Sequence, residues 1–107
     1  MTYLAVVTTT GSLAEAQAMA RALVERRLAA CAQISAIESF YTWNGAVQNE
    51  PEFRVLFKTT EARYAEVEAA IRELHSYELP AIHALALEPV YGPYAAWIQE
   101  NTPGRRG

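Results

Sequence analysis

The chain has 107 residues, close to the commonest size of a single domain, so a second unit with its own core is not expected. At 51% hydrophobic and 20% charged it is too apolar for a disordered chain and too broken by charge for a membrane span, so a soluble globule is expected. Nine Lys and Arg against twelve Asp and Glu leave a charge of -3, without the basic surface that neutralises nucleic-acid phosphates.

The opening stretch Thr2 to Thr9, rich in β-branched and aromatic residues and closed by Gly11, predicts a buried first strand. Its start has no cationic segment and too short an apolar run for a signal peptide or anchor, so a cytoplasmic protein is expected. Ser12 and Glu15 stand at the spacing of a capping box, the Ser12 hydroxyl accepting from the Glu15 N–H and the carboxylate reaching back. A helix with the apolar stripe Leu13, Ala16, Ala20, Leu23 and Val24 follows.

From Ala30 to Trp43 the period changes to two, predicting a long strand that carries Ile37, Ser39, Tyr41 and Trp43 on one face. Asn44-Gly45 suits the positive φ angles of a tight hairpin, so the chain doubles back. The third strand runs through Phe53–Thr59, and Pro51 suggests an edge, a bulge or a break near the hairpin tip. Thr60 is placed to cap a second helix with the stripe Tyr64, Val67, Ile71 and Leu74 and an i,i+4 pair, Glu68 and Arg72. Pro80 ends any helical continuation; residues 81–87 read as a fourth strand, and a short helix from about Pro93 to Glu100 completes the chain. The domain is expected over 1–101, with 102–107 a flexible tail.

The order β-α-β-β-α-β with a C-terminal helix predicts an α+β, ferredoxin-like sandwich with an extended hairpin, two helices on one sheet face and the other face bare. A chain this small buries roughly 65% of its unfolded surface, so a partner on the bare face and hairpin would add stability. Cys31 is the only cysteine, which excludes an internal disulfide and agrees with a reducing compartment.

Leu28-Ala29-Ala30-Cys31, Tyr41-Thr42-Trp43-Asn44-Gly45, Glu52, Lys58-Thr59 and His75-Ser76-Tyr77-Glu78-Leu79-Pro80 follow one another in an order and spacing that resemble the CutA divalent-cation-tolerance family over roughly residues 3 to 100. The resemblance implies a ferredoxin-like homotrimer related in architecture to PII signalling proteins, implicated in metal tolerance, with copper bound in some members. Two positions depart from the family's pattern: Ala81 stands where it usually has Glu in the inter-subunit cleft, and Ser76 follows His75 in place of Pro.

On this resemblance Cys31 is the candidate copper ligand, because thiolate suits Cu(I), with His75 a second contributor. Each has a structural alternative, Cys31 as a small buried hydrophobe and His75 as a helix-end cation. His83, in phase with Leu85 and Leu87, lies outside the motif and reads as a packed or edge imidazole. Trp43, Lys58 and Tyr77 are the candidate contacts for a small molecule; Tyr41, Trp43, Tyr77 and Trp97 could equally be interface aromatics, and Lys58 with Glu52 an ion pair across a subunit boundary. No phosphate loop, nucleophile elbow or paired-carboxylate motif occurs, so a binding role is expected rather than an enzyme. Two binding readings follow: a homotrimer holding copper or another metal, and a PII-like trimeric sensor with a small anion or metabolite between subunits. Neither nucleic acid nor membrane is expected as a partner. An acylphosphatase-like enzyme would need an Arg in the loop after the first strand, where Thr8 to Ser12 supply only hydroxyls.

Overall fold

The computed structural model describes residues 1–104. Its elements are β1 (Tyr3–Thr10), α1 (Leu13–Glu25), β2 (Cys31–Trp43), β3 (Ala46–Thr60), a single 3₁₀ turn (Glu61–Arg63), α2 (Tyr64–Leu74), β4 (Ile82–Leu87) and α3 (Gly92–Glu100). The strands form one antiparallel sheet in the order β2-β3-β1-β4, as the ferredoxin-like topology requires. Among the described residues, no helix is long and apolar enough to cross a membrane.

Period-two alternation gives the sheet two different faces. Leu4 and Val6 stand beside Val55 and Phe57 on one face, where Ala16, Met19 and Leu23 of α1 and Val67, Ala70 and Ile71 of α2 bury them in a single cluster. The α1 stripe is therefore centred on Met19; Leu13 and Val24, expected inside, are exposed. On the second face, Ala5, Lys58 and Cys31 stand side by side across β1, β3 and β2.

This second face is not wholly bare, as the element order alone had suggested. Tyr94 of α3 reaches both Cys31 and Lys58, so α3 lies over one end of it, with Ile98 fully buried. Thr102, expected in a loose tail, is buried with its hydroxyl donating to the Ile98 carbonyl, and the Gly104 N–H donates to the Arg27 carbonyl. Residues 105–107 of that expected tail lie outside the described residues.

The hairpin turns at Asn44 and Gly45, with φ of 53° and 77°, the primed geometry that matches strand twist. Pairing is continuous from Trp43↔Ala46 through Glu38↔Pro51 to Cys31↔Lys58, so Pro51 makes no break. It is tolerated because β1 ends at the Thr10↔Phe53 pair, leaving β3 at Pro51 with β2 as its only neighbour. Two local expectations are also revised. The Thr60 side chain makes no cap, and Glu68 accepts from the Tyr64 hydroxyl at 3.1 Å.

Candidate functional site

Because β2 and β3 run on past the end of β1, the hairpin stands free of the sheet, and the segment joining α2 to β4 crosses beside it. Between them lies an open cleft of about 600 Å³ whose walls include Thr9, Tyr41, Trp43, Glu52, Tyr77 and Ala81. Glu78 and Leu79 also line it, and among the described residues no Lys, Arg or His does. Ala81, where the resemblance leads one to expect an acid, is thus on the cleft wall.

His75 anchors the crossing segment. Its side chain is 0% exposed; Nε2–H donates to the Thr9 carbonyl at 2.7 Å, and Nδ1 accepts from the Tyr77 N–H at 3.1 Å. One neutral tautomer satisfies both contacts and leaves no free ring nitrogen. Glu15 holds the next residue, accepting from the Ser76 N–H at 2.8 Å and the Ser76 hydroxyl at 3.0 Å. Only half of the expected capping box therefore forms: Ser12 accepts from the Glu15 N–H at 3.1 Å, while the carboxylate ties α1 to residue 76.

Tyr77, so placed, donates its hydroxyl to Glu52 Oε2 at 2.7 Å. A Cβ at Gly11 would stand 3.1 Å from that hydroxyl, so the glycine leaves room for the approach. Burial, then the bond to Glu52, pushes the Tyr77 hydroxyl well above the usual tyrosine range. Across the hairpin, the Tyr41 hydroxyl donates to Glu50 Oε1 at 2.7 Å, and that bond raises its pKa too. Glu52 is 8% exposed, and among the described residues its Oε1 has no hydrogen-bond or ion-pair partner.

At the other end of the second face, Cys31 Sγ lies 3.8 Å from the Tyr94 hydroxyl, the Lys58 ammonium sits 5.3 Å from the Tyr94 ring centre, and Trp97 stacks on Tyr94 at 5.6 Å. The fold thus brings Trp43 and Tyr77 together and leaves Lys58 and Trp97 elsewhere. Six residues of β3 put Lys58 about 20 Å from Glu52, too far for an ion pair within one chain. His83 is exposed on β4, opposite Val7.

Cys31 and His75 are likewise separated. Cys31 is level with Ala5 of β1 and His75 bonds to Thr9, four residues or about 13 Å along the strand. Among the described residues, no three His, Cys, Asp or Glu side chains gather as a metal site. The predicted pair therefore does not fit a copper ion within one subunit: it offers a lone thiol and an imidazole whose nitrogens are both taken.

From the sequence Glu52 was named as a partner of Lys58 and Glu50 was not named at all, although a signal for the position of both was there. Counting back from a two-residue Asn-Gly turn pairs Tyr41 with Gln48, Ser39 with Glu50 and Ile37 with Glu52, which puts both acids on the face of Tyr41 and Trp43. Glu15 and Gly11 carried no such signal, since their partners lie over sixty residues away.

The profile of the CutA1 divalent ion tolerance protein family matches residues 4–101. The divalent-cation tolerance protein CutA of Archaeoglobus fulgidus is 38% identical over 93 residues, 87% of this chain and 91% of that protein. Its counterpart from Thermus thermophilus is 39% identical over 88 residues, 81% and 85% of the two chains. Among solved structures, the periplasmic divalent cation tolerance protein CutA from A. fulgidus superposes with a TM-score of 0.91 at 35% identity, covering 94% of this chain and 98% of that one. Cut A1 from T. thermophilus gives 0.90 at 37% identity, with the same coverage.

Proposed function

The chain belongs to the CutA1 divalent ion tolerance protein family, and from that premise we propose that it acts as a homotrimeric, non-enzymatic binding protein in the response to metal ions. The observation that carries the trimer is the second face away from α3. There Leu85 is 55% exposed and Trp43 41%. Aromatic and aliphatic surface of this kind is what subunit interfaces bury, and closed rings of identical subunits are the usual way to bury it.

Copper enters the proposal only through assembly. A subunit contributes the Cys31 thiol, and the remaining ligands of a Cu(I) site come from neighbouring copies, so copper binding requires the trimer. The rival reading, a PII-like sensor of a small anion, is disfavoured by a cleft wall that carries Glu52 and Glu78 and, among the described residues, no basic side chain. A cytoplasmic location belongs to the same proposal on the strength of the unpaired Cys31, whereas the A. fulgidus relative is described as periplasmic. Subcellular fractionation decides it.

Light scattering at micromolar concentration should report three times the 11.9 kDa chain mass; a monomer there would sink the trimer. Competition with a Cu(I) chelator then tests the metal. Cys31→Ser should lose the binding that the parent shows, and equal affinity in the two proteins would remove Cys31 from the site.

A further inference from the structure

The two ends of the second face carry charges of opposite sign. At the hairpin end, Glu52 Oε2 accepts from the Tyr77 hydroxyl, and among the described residues the carboxylate, which opens to the cleft, makes no ion pair. At the α3 end, Lys58 is half-buried against the Tyr94 ring and, among the described residues, makes no ion pair either. Aromatic rings accompany both charges, Trp43 beside the acid and Trp97, stacked on Tyr94, beside the base, and both tryptophans are exposed. Exposed aromatics are what subunit interfaces bury, and opposite charges set which patch meets which.

One chain cannot join these ends, since six residues of β3 hold them about 20 Å apart. Separation also bears on the symmetry that each cation would impose as a partner of Glu52. Arg54 stands two positions from Glu52 on the same face of β3, about 7 Å along the strand, and is exposed without an ion pair among the described residues. A second copy that laid its Arg54 on Glu52 would bring its own Glu52 back to the first Arg54, a reciprocal contact across a two-fold axis that closes as a dimer. Lys58 lies at the far end of the face, so its contact with Glu52 can join one patch to a different patch, the head-to-tail arrangement from which rings are built. A trimer needs a contact of this second kind.

We propose that the hairpin end of each subunit docks on the α3 end of the next copy, where the partner subunit's Lys58 pairs with Glu52 and completes the cleft. The proposal rests on the trimeric reading above and deepens it, because it names the two patches that meet and the charges that align them. The cleft is then a space between subunits, with one wall from each.

Sedimentation velocity across a range of chain concentrations reads the assembly, with circular dichroism as the check on the subunit fold. Glu52→Lys and Lys58→Glu each set like charges against one another, and each should raise the concentration of half-assembly at least tenfold. The double exchange, Glu52→Lys with Lys58→Glu, restores opposite charges only between copies and should return to within about threefold of the parent. Exchanging Glu52 with Arg54 instead, as Glu52→Arg with Arg54→Glu, should bring no recovery. Should charge reversal prevent folding, Glu52→Gln, Lys58→Gln and their combination form a gentler cycle, in which the double variant should assemble no worse than the weaker single. Losses that simply multiply in either double variant, or recovery with Arg54 in place of Lys58, would overturn the proposal. The two levels stay distinguishable: a parent of three chains whose double exchange shows no recovery refutes this contact alone, and a monomeric parent refutes the trimer and the contact with it.

Discussion

Phe57 and Glu52 lie five positions apart on β3, and both are almost wholly buried. Phe57 faces α1 and α2, where Val6, Val55, Leu23 and Ile71 surround it with apolar atoms from four elements of the same chain. Glu52 faces the other way, toward a cleft where, among the described residues, one hydroxyl is its only partner. Between them the two residues teach that this sheet is finished on one side and unfinished on the other. The helix face satisfies itself, and the hairpin end of the second face asks for something from outside the subunit.

The contrast is broken most forcefully on the finished side. Phe57→Ala leaves a cavity in a close-packed core, and such truncations cost about 3–5 kcal/mol, a large part of a small domain's stability. Urea denaturation should show the loss, and a midpoint equal to the parent's would mean that the helix face is not the core. Trp43→Ala should act on the unfinished side. Losing a buried interface aromatic costs ~2 kcal/mol or more, so the variant should dissociate on dilution while its circular dichroism stays native. If its sedimentation matches the parent at every concentration, Trp43 anchors no interface.

Smaller effects sharpen the comparison. Gly45 has φ of 77° and open space around a would-be Cβ, so Gly45→Ala strains only the backbone, by roughly 1–2 kcal/mol. It should loosen the hairpin tip, read as faster amide exchange at Tyr41 to Gln48, and leave exchange in β1 unchanged. Tyr77 tests the link between the cleft and folding. Its raised pKa means that the folded state holds the proton more tightly than the unfolded one. Stability from this source is therefore complete below the ordinary tyrosine value of ~10 and falls as pH rises beyond it. Tyr77→Phe should flatten part of that alkaline loss, and an identical pH profile would detach Tyr77 from it.

Local chemistry explains what the sequence made legible. The Asn44-Gly45 turn, the Ser12 cap and the two periodicities act over a few residues, so strand order, hairpin and helix face followed from them. The resemblance to CutA proteins likewise named Trp43 and Tyr77, which do meet at the cleft. It also grouped Cys31 with His75, which the strands of one subunit hold far apart, because a motif series records order along the chain and not which end of a sheet each residue reaches. Glu15 is the reverse case. Its sequence context offered a cap, and a chain segment sixty-one residues away offered two donors instead.

The claim that the second face is completed by further copies of the chain is tested most directly by urea unfolding across a hundredfold range of protein concentration. Whatever binds the folded state alone stabilises it by mass action. If subunits cover this face, the midpoint should climb steadily with concentration for the parent and climb less for Trp43→Ala. A parent midpoint that stays fixed over the whole range would contradict the account, because the subunit would then be complete as it stands.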